Sequence, residues 1–198
     1  MHILIDLDDV VIQSSYKDSL GQTVFYWVKN IEKHYGITNK QIQMLANGWP
    51  EVMLGKKSLK KHVSEFLYNI HSSVSADDFI TVWLNYKNTL NQDVKNWVNF
   101  MSNRGHTLYI VTDQENMRPA HIIKQYPKFF KKFKKIYTSA DVGFCKSQKK
   151  FFLSVLNDLQ IKPTEAILID DNDNNLASAK NIGIKTIKYI TGQPLPIF

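Results

Sequence analysis

The sequence predicts an α/β protein: a mainly parallel sheet covered on both faces, with an all-helical insertion after the first strand. Three observations carry this. Apolar runs of strand length, Ile3-Leu4-Ile5, Leu108-Tyr109-Ile110-Val111 and Ala166-Ile167-Leu168-Ile169, alternate with segments of helical apolar spacing. Two of those runs stop abruptly in carboxylates, Asp6-Leu7-Asp8-Asp9 and Asp170-Asp171. Between the first run and the second, helical periodicity dominates from about residue 15 to residue 91. The predicted core is therefore residues 1–14 and 92–198, and the predicted helical cap is 15–91.

In order along the chain, Gln13 to Asp18 reads as a polar loop leaving the core. Val24, Phe25, Trp27, Val28 and Ile31 then recur at helical spacing, and Gly36 closes that helix. Thr38 is placed to cap a short second helix that ends at the breaker Gly48-Trp49-Pro50. A third helix follows Ser58, and Ser75 with Asp77-Asp78 is a capped, dipole-compensated start of a fourth. Asn91 caps the helix carrying Val94, Trp97, Val98 and Met101, and Gly105 ends it. A strand at 107–112 runs into Asp113, a helix spans about 119–125, and a lysine-rich connection leads to a short strand at 136–138. The loop from Ser139 to Lys146, a helix from Ser147, the strand 166–169, a helix at 173–181 and a last strand at 185–190 complete the plan; the tail after Thr191 is expected to be extended.

Composition bounds what such a chain can be. With 198 residues, 43% hydrophobic and 12% aromatic, it has enough apolar surface for a substantial core. The net charge of +7 and a pI near 9.3 favour anionic partners, from small phosphorylated molecules to nucleic acid. Asp6 interrupts the opening apolar run and no stretch is long enough to span a bilayer, so a soluble cytoplasmic protein without membrane association is expected. One cysteine, Cys145, excludes an internal disulfide, and the six scattered histidines show no zinc-ligand spacing.

The acids are costly at the ends of apolar strands unless a cation or donors face them. Asp6 and Asp8, two residues apart on an extended chain, lean to one side. Ligands of parallel sheets bind at the carboxyl ends of the strands. Acids from two such strand ends, Asp6 with Asp8 and Asp170 with Asp171, repel unless a divalent cation sits among them, and hard oxygen ligands suit Mg²⁺. Thr112 and Lys146 supply the hydroxyl and the charge that a transferring phosphoryl group needs on its oxygens. Asp6 then serves as nucleophile, forming an aspartyl-phosphate, and Asp8 as general acid and base.

With these residues in this order, nearly the whole chain resembles the haloacid dehalogenase superfamily, and specifically its phosphatases with a helical cap after the first strand. The resemblance implies a Rossmann-like core and assigns Asp6 to the nucleophile and Asp8 to the acid/base. It likewise assigns Thr112 and Lys146 to phosphate binding, Asp171 to the main metal ligand and Asp170 to the accessory one. The backbone carbonyl at the Asp8 position is a further metal ligand in that family. Asp8 points to phosphoryl chemistry, since dehalogenases of the superfamily lack that second acid. Two departures stand out: Asp9 where glycine is usual, and Lys146-Ser147-Gln148 in place of lysine-proline-aspartate. The reading is thus a Mg²⁺-dependent phosphatase of a small phosphate monoester. The alternatives are a nucleotidase or nucleic-acid-end phosphatase, or a non-catalytic nucleic-acid-binding or regulatory protein of the same fold. The run Lys124, Lys128, Lys131, Lys132, Lys134, Lys135 with Tyr126, Phe129, Phe130 and Phe133 is the sequence's argument for nucleic acid, set against its reading as a solvated basic face.

Overall fold

The computed structural model describes residues 1–86 and 88–198; Lys87, inside the predicted cap, lies outside them. Strand β1 (His2–Asp6) is followed by three short strands, β2 (Ile12–Gln13), β3 (Ser15–Lys17) and β4 (Thr23–Phe25). Five helices come next: α1 (Tyr26–Tyr35), α2 (Asn39–Gln43), α3 (Trp49–Met53), α4 (Leu59–Asn69) and α5 (Ala76–Leu84). The chain returns through β5 (Thr89–Leu90), α6 (Gln92–Asn103), β6 (Thr107–Thr112), α7 (Met117–Gln125), α8 (Pro127–Phe130) and β7 (Phe133–Thr138). It finishes with α9 (Ser139–Val142), α10 (Lys149–Leu159), β8 (Ala166–Asp170), α11 (Asp173–Lys180) and β9 (Lys185–Lys188).

The main sheet has the order β7-β6-β1-β8-β9, and all its pairs are parallel. β1 and β8 share the tetrapeptide Ile-Leu-Ile-Asp and lie side by side in register, Ile3 on Ile167, Leu4 on Leu168 and Ile5 on Ile169. The alternation of a strand sends Ile3 and Ile5 into a core with Val94, Val98, Met101 and Ile122 on one face. Leu4, Tyr109 and Leu168 enter a second core with Phe151, Phe152 and Val155 on the other. Each such side chain stabilises the sheet by about 1.5–3 kcal/mol on burial. The central strand is therefore immobilised from both sides, and so is whatever residue stands at its tip.

The insert builds its own core from Ile31, Val63, Phe66, Phe79 and Trp83. Rings pack edge-on at 5.9 Å (Trp27–Trp83), 5.7 Å (Trp49–Trp83) and 5.8 Å (Phe66–Phe79). Phe25, expected among them, is 45% exposed, because it is the last residue before α1. The caps fall where the side chains predict them: Thr38 with Gln41 forms a capping box, and Ser58, Ser75 and Asn91 each accept from the first turn.

Four differences from the sequence reading have physical causes. The region 15–91 is not all helical: β3 pairs with β4, and β2 with β5, in two-stranded antiparallel ribbons too short to leave a periodicity. The helical run from Asn39 does stop before Gly48, but Trp49 and Pro50 break nothing: Gly48, at φ +81, opens α3 with Pro50 in the first turn. The strand expected at 136–138 begins at Phe133, and Phe129, Phe130 and Phe133 are buried against one another at 5.2–5.7 Å. Their lysine neighbours Lys134 and Lys135 are exposed on the edge strand β7, a placement that blocks edge-to-edge pairing. The tail also docks: Trp97 Nε1 donates to the Pro196 carbonyl at 3.0 Å, and Phe198 packs on Trp97. Among the described residues, no helix is long and apolar enough to cross a membrane.

Candidate active site

The register brings the acidic tips of β1 and β8 together on the carboxyl rim. Asp6 and Asp170 are buried and Asp171 is half-buried; one carboxylate oxygen from each lies within 4.8 Å of the others. Oxygens on opposite sides of one Mg²⁺ ion stand about 4.2 Å apart, at bonds of about 2.1 Å. Small side-chain shifts therefore close this group on an ion, and a hard, all-oxygen donor set suits such a cation.

Lys146 holds the acids together. Its ammonium reaches Asp6 Oδ1 at 2.5 Å and Asp170 Oδ2 at 2.8 Å, while its backbone N–H donates to Asp113 Oδ1 at 2.8 Å. Burial alone would lower the Lys146 pKa, but Asp6, Asp170 and Asp113 overcome it and leave it raised. Asp6 is pushed well above the usual carboxylate range by its burial; Lys146 opposes this, and Asp170 and Asp8 add to it. Burial likewise raises Asp171, with Asp170 and Asp9 adding to the shift. A cation placed among these acids relieves that cost.

The two strand tips differ in how they are bonded. On Asp6, the Leu7 N–H (2.8 Å) and Lys146 both fall on Oδ1. Asp170 is engaged through both oxygens. Oδ1 accepts from the Asn172 N–H at 2.8 Å, Oδ2 from Lys146, and the Asn175 amide reaches both at 3.2 Å. Asn175 is thus buried against Asp170.

Asp8 is turned away from the three-acid group. Its Oδ1 pairs with Arg118 Nη2 at 2.5 Å and its Oδ2 accepts from Gln114 Nε2 at 2.6 Å. Arg118 is itself buried, and Nη1 faces Asn88 Oδ1 at 3.4 Å. Sequence reasoning missed Arg118 and Gln114, which stand over 100 residues from Asp8. One signal existed: the chain carries its positive charge almost wholly on lysine, and Arg118 is one of just two arginines. Arginine's planar fork is the better partner for a buried carboxylate.

Asp9 adopts φ +58, the left-handed conformation that suits the glycine usual at this position. Its carboxylate collects four donors: the N–H and hydroxyl of Ser14 and the N–H of Ser15 at 2.9 Å, and the Ser15 hydroxyl at 2.7 Å. The departure tightens the turn into the insert. Thr112 is buried at the tip of β6, beside β1, with its Cα register partner Thr138 on β7. Cys145 is a half-buried free thiol whose pKa is raised by burial and by Asp113, so adjacency to Lys146 does not activate it.

A parallel sheet carrying buried acids, a buried lysine and a metal-competent oxygen cluster on its carboxyl rim defines an α/β protein with an acidic, cation-competent site. The particular family follows from the sequence: residues 3–189 match the haloacid dehalogenase-like hydrolases, and the chain belongs to that family. Its structure is similar to that of a HAD-family enzyme from Bacteroides thetaiotaomicron, solved in complex with magnesium and inorganic phosphate. The TM-score is 0.78 at 18% identity, over 97% of this chain and 95% of that one. Curated relatives align over shorter stretches. Acyl-CoA dehydrogenase family member 10 of Mus musculus is 40% identical over 58 residues, and drimenol cyclase drtB of Aspergillus calidoustus 33% identical over 57. Each stretch is 29% of this chain and only 5% and 11% of those proteins.

Proposed function

We propose that this hydrolase is a Mg²⁺-dependent phosphatase of small phosphate monoesters, working through an aspartyl-phosphate on Asp6. The observation that carries the reading is the asymmetry at Asp6: its hydrogen bonds fall on Oδ1, so Oδ2 is the oxygen left to attack. Supporting it, the Bacteroides thetaiotaomicron enzyme of similar fold was solved with magnesium and inorganic phosphate.

Asp6, Asp170 and Asp171 would hold Mg²⁺, with the Asp8 carbonyl. When bound, the ion neutralises charge on nucleophile and phosphate, two anions that otherwise repel. Asp6 Oδ2 forms the bond to phosphorus as the ester P–O bond breaks, and Asp8, which must first exchange its ion pair with Arg118 for a proton, gives that proton to the leaving oxygen. In the second half Asp8, now a carboxylate, takes a proton from water as that water attacks phosphorus, and Asp6 leaves. An ammonium has three donors, of which Asp6 and Asp170 use two, so Lys146 retains one for a phosphate oxygen. The Thr112 hydroxyl takes another. The insert, which meets the core where the Ser139 hydroxyl donates to the Met53 carbonyl at 2.7 Å, would limit water at the first step.

An aryl phosphate assayed with Mg²⁺ tests this. Hydrolysis that vanishes on chelation and in Asp6→Asn is expected; undiminished turnover in either case rejects it. A panel of mononucleotides, sugar phosphates and end-phosphorylated oligonucleotides in the same assay identifies the substrate class.

A further inference from the structure

Away from the acidic rim, a groove of about 440 Å³ lies between α6 and the α7–α8 corner. Its apolar lining comes from Leu90, Tyr126, Pro127 and Phe129. Its charge comes from Lys95, Lys128 and Lys132, with no acid among the lining residues. Among the described residues, none of these three lysines belongs to an ion pair. Lys95 and Lys132 are half-buried, so their stems lie along the groove while their charges remain uncompensated.

The wall is fixed before any ligand arrives. Tyr126 Oη donates to the Asn88 carbonyl at 2.6 Å, Gln125 Oε1 accepts from the Asn88 amide at 3.4 Å, and Phe129 is buried against Phe130 and Phe133. A preformed apolar cleft of this size with a few convergent polar groups has the make-up of a small-molecule site. Inorganic phosphate would meet the lysines but leave the apolar lining wet. A polynucleotide would need the aromatics for stacking, and Phe129, Phe130 and Phe133 are already committed to the core.

We propose that this groove binds a small amphiphilic organic anion: an acyl or aryl body that covers Tyr126 and Pro127, ending in a carboxylate, sulfonate or phosphate that the three lysines neutralise. Charge complementarity fixes the sign of the ligand, and the apolar lining fixes the rest of it.

The probe is 8-anilinonaphthalene-1-sulfonate, titrated by fluorescence against the full chain at neutral pH. One saturable site is expected, displaced by decanoate and left in place by inorganic phosphate or decyltrimethylammonium. Lys128→Glu/Lys132→Glu should weaken the probe at least tenfold, whereas the charge-matched Lys124→Glu/Lys131→Glu, outside the groove, should leave it within twofold. Asn99→Trp, which fills the groove without changing charge, should abolish binding and guards against a purely long-range electrostatic effect. Equal losses in both double variants, binding that survives Asn99→Trp, or displacement by inorganic phosphate alone would overturn the proposal. Thermal melts establish that each variant is folded, and no arm depends on phosphatase activity.

Discussion

β1 and β8 run side by side with the same four residues, Ile-Leu-Ile-Asp, yet their terminal aspartates, both buried and both paired to Lys146, are bonded differently. Asp170 is clamped on both oxygens by a lysine, an asparagine amide and a backbone N–H, whereas Asp6 is held on one oxygen. The strand decides only where the carboxylate stands; the loop after it decides what the carboxylate can do. After β8, Asn172 and the start of α11 fold back onto the acid and satisfy it. After β1, Leu7 turns into the core and Asp8 swings to Arg118, so neither side chain folds back to add a donor to Asp6 Oδ2, buried though the carboxylate is.

The sharpest way to break the comparison is to neutralise the two tips in turn. Asp6→Asn should lower turnover of an aryl phosphate by at least about 10⁴-fold, as loss of a nucleophile does. Asp170→Asn should retain measurable turnover and show mainly a raised Mg²⁺ requirement. Equal losses from the two variants would mean the difference in bonding has no chemical meaning.

Lys146 joins the tips, so removing it should harm the fold as well as the site. Lys146→Met leaves Asp6 and Asp170 buried without their shared cation, and loss of one partner from a buried pair costs about 3–5 kcal/mol. Denaturant unfolding with chelator present reads that loss. Added Mg²⁺ should recover part of it, because an ion among the acids replaces the missing charge.

How much of this was legible follows from the same contrast. The strands were readable because apolar runs that stop in acids are conspicuous, and the helices because their caps are local, as at Thr38, Ser75 and Asn91. The ribbons β2–β5 and β3–β4 were not, being two and three residues long. Nor were the partners of Asp8, since Arg118 and Gln114 arrive from the loop and helix after β6 and no local pattern points back to Asp8. In the lysine run the aromatics follow no fixed period, so the sequence does not say which way they face. Only the fold shows that Phe129, Phe130 and Phe133 turn inward.

Arg118 sharpens the comparison from the β1 side. If it fixes where the Asp8 carboxyl sits, Arg118→Met should lower kcat by about 10–100-fold through misplacement, with KM little changed. Arg118→Lys should not restore it, since one ammonium cannot reach both Asp8 and Asn88 as the guanidinium does. A purely structural arginine would instead lower the melting temperature and leave kcat of the folded fraction intact.

The smallest expected effect concerns Asp9, the residue that departs from the family's glycine. Two terms oppose one another there. Glycine would remove the cost of φ +58, about 1 kcal/mol for a side-chain-bearing residue. It would also delete four hydrogen bonds to Ser14 and Ser15, each worth about 0.5–1.5 kcal/mol net. The bonds outweigh the strain, so Asp9→Gly should destabilise by about 1–2 kcal/mol, the lower part of that difference because the turn is partly wet. Asp9→Asn, which tolerates the left-handed conformation and keeps one acceptor oxygen, should lose less. Chemical denaturation of the three proteins orders them. A glycine variant as stable as the parent would show that the carboxylate does not tighten the turn between Asp6 and the insert.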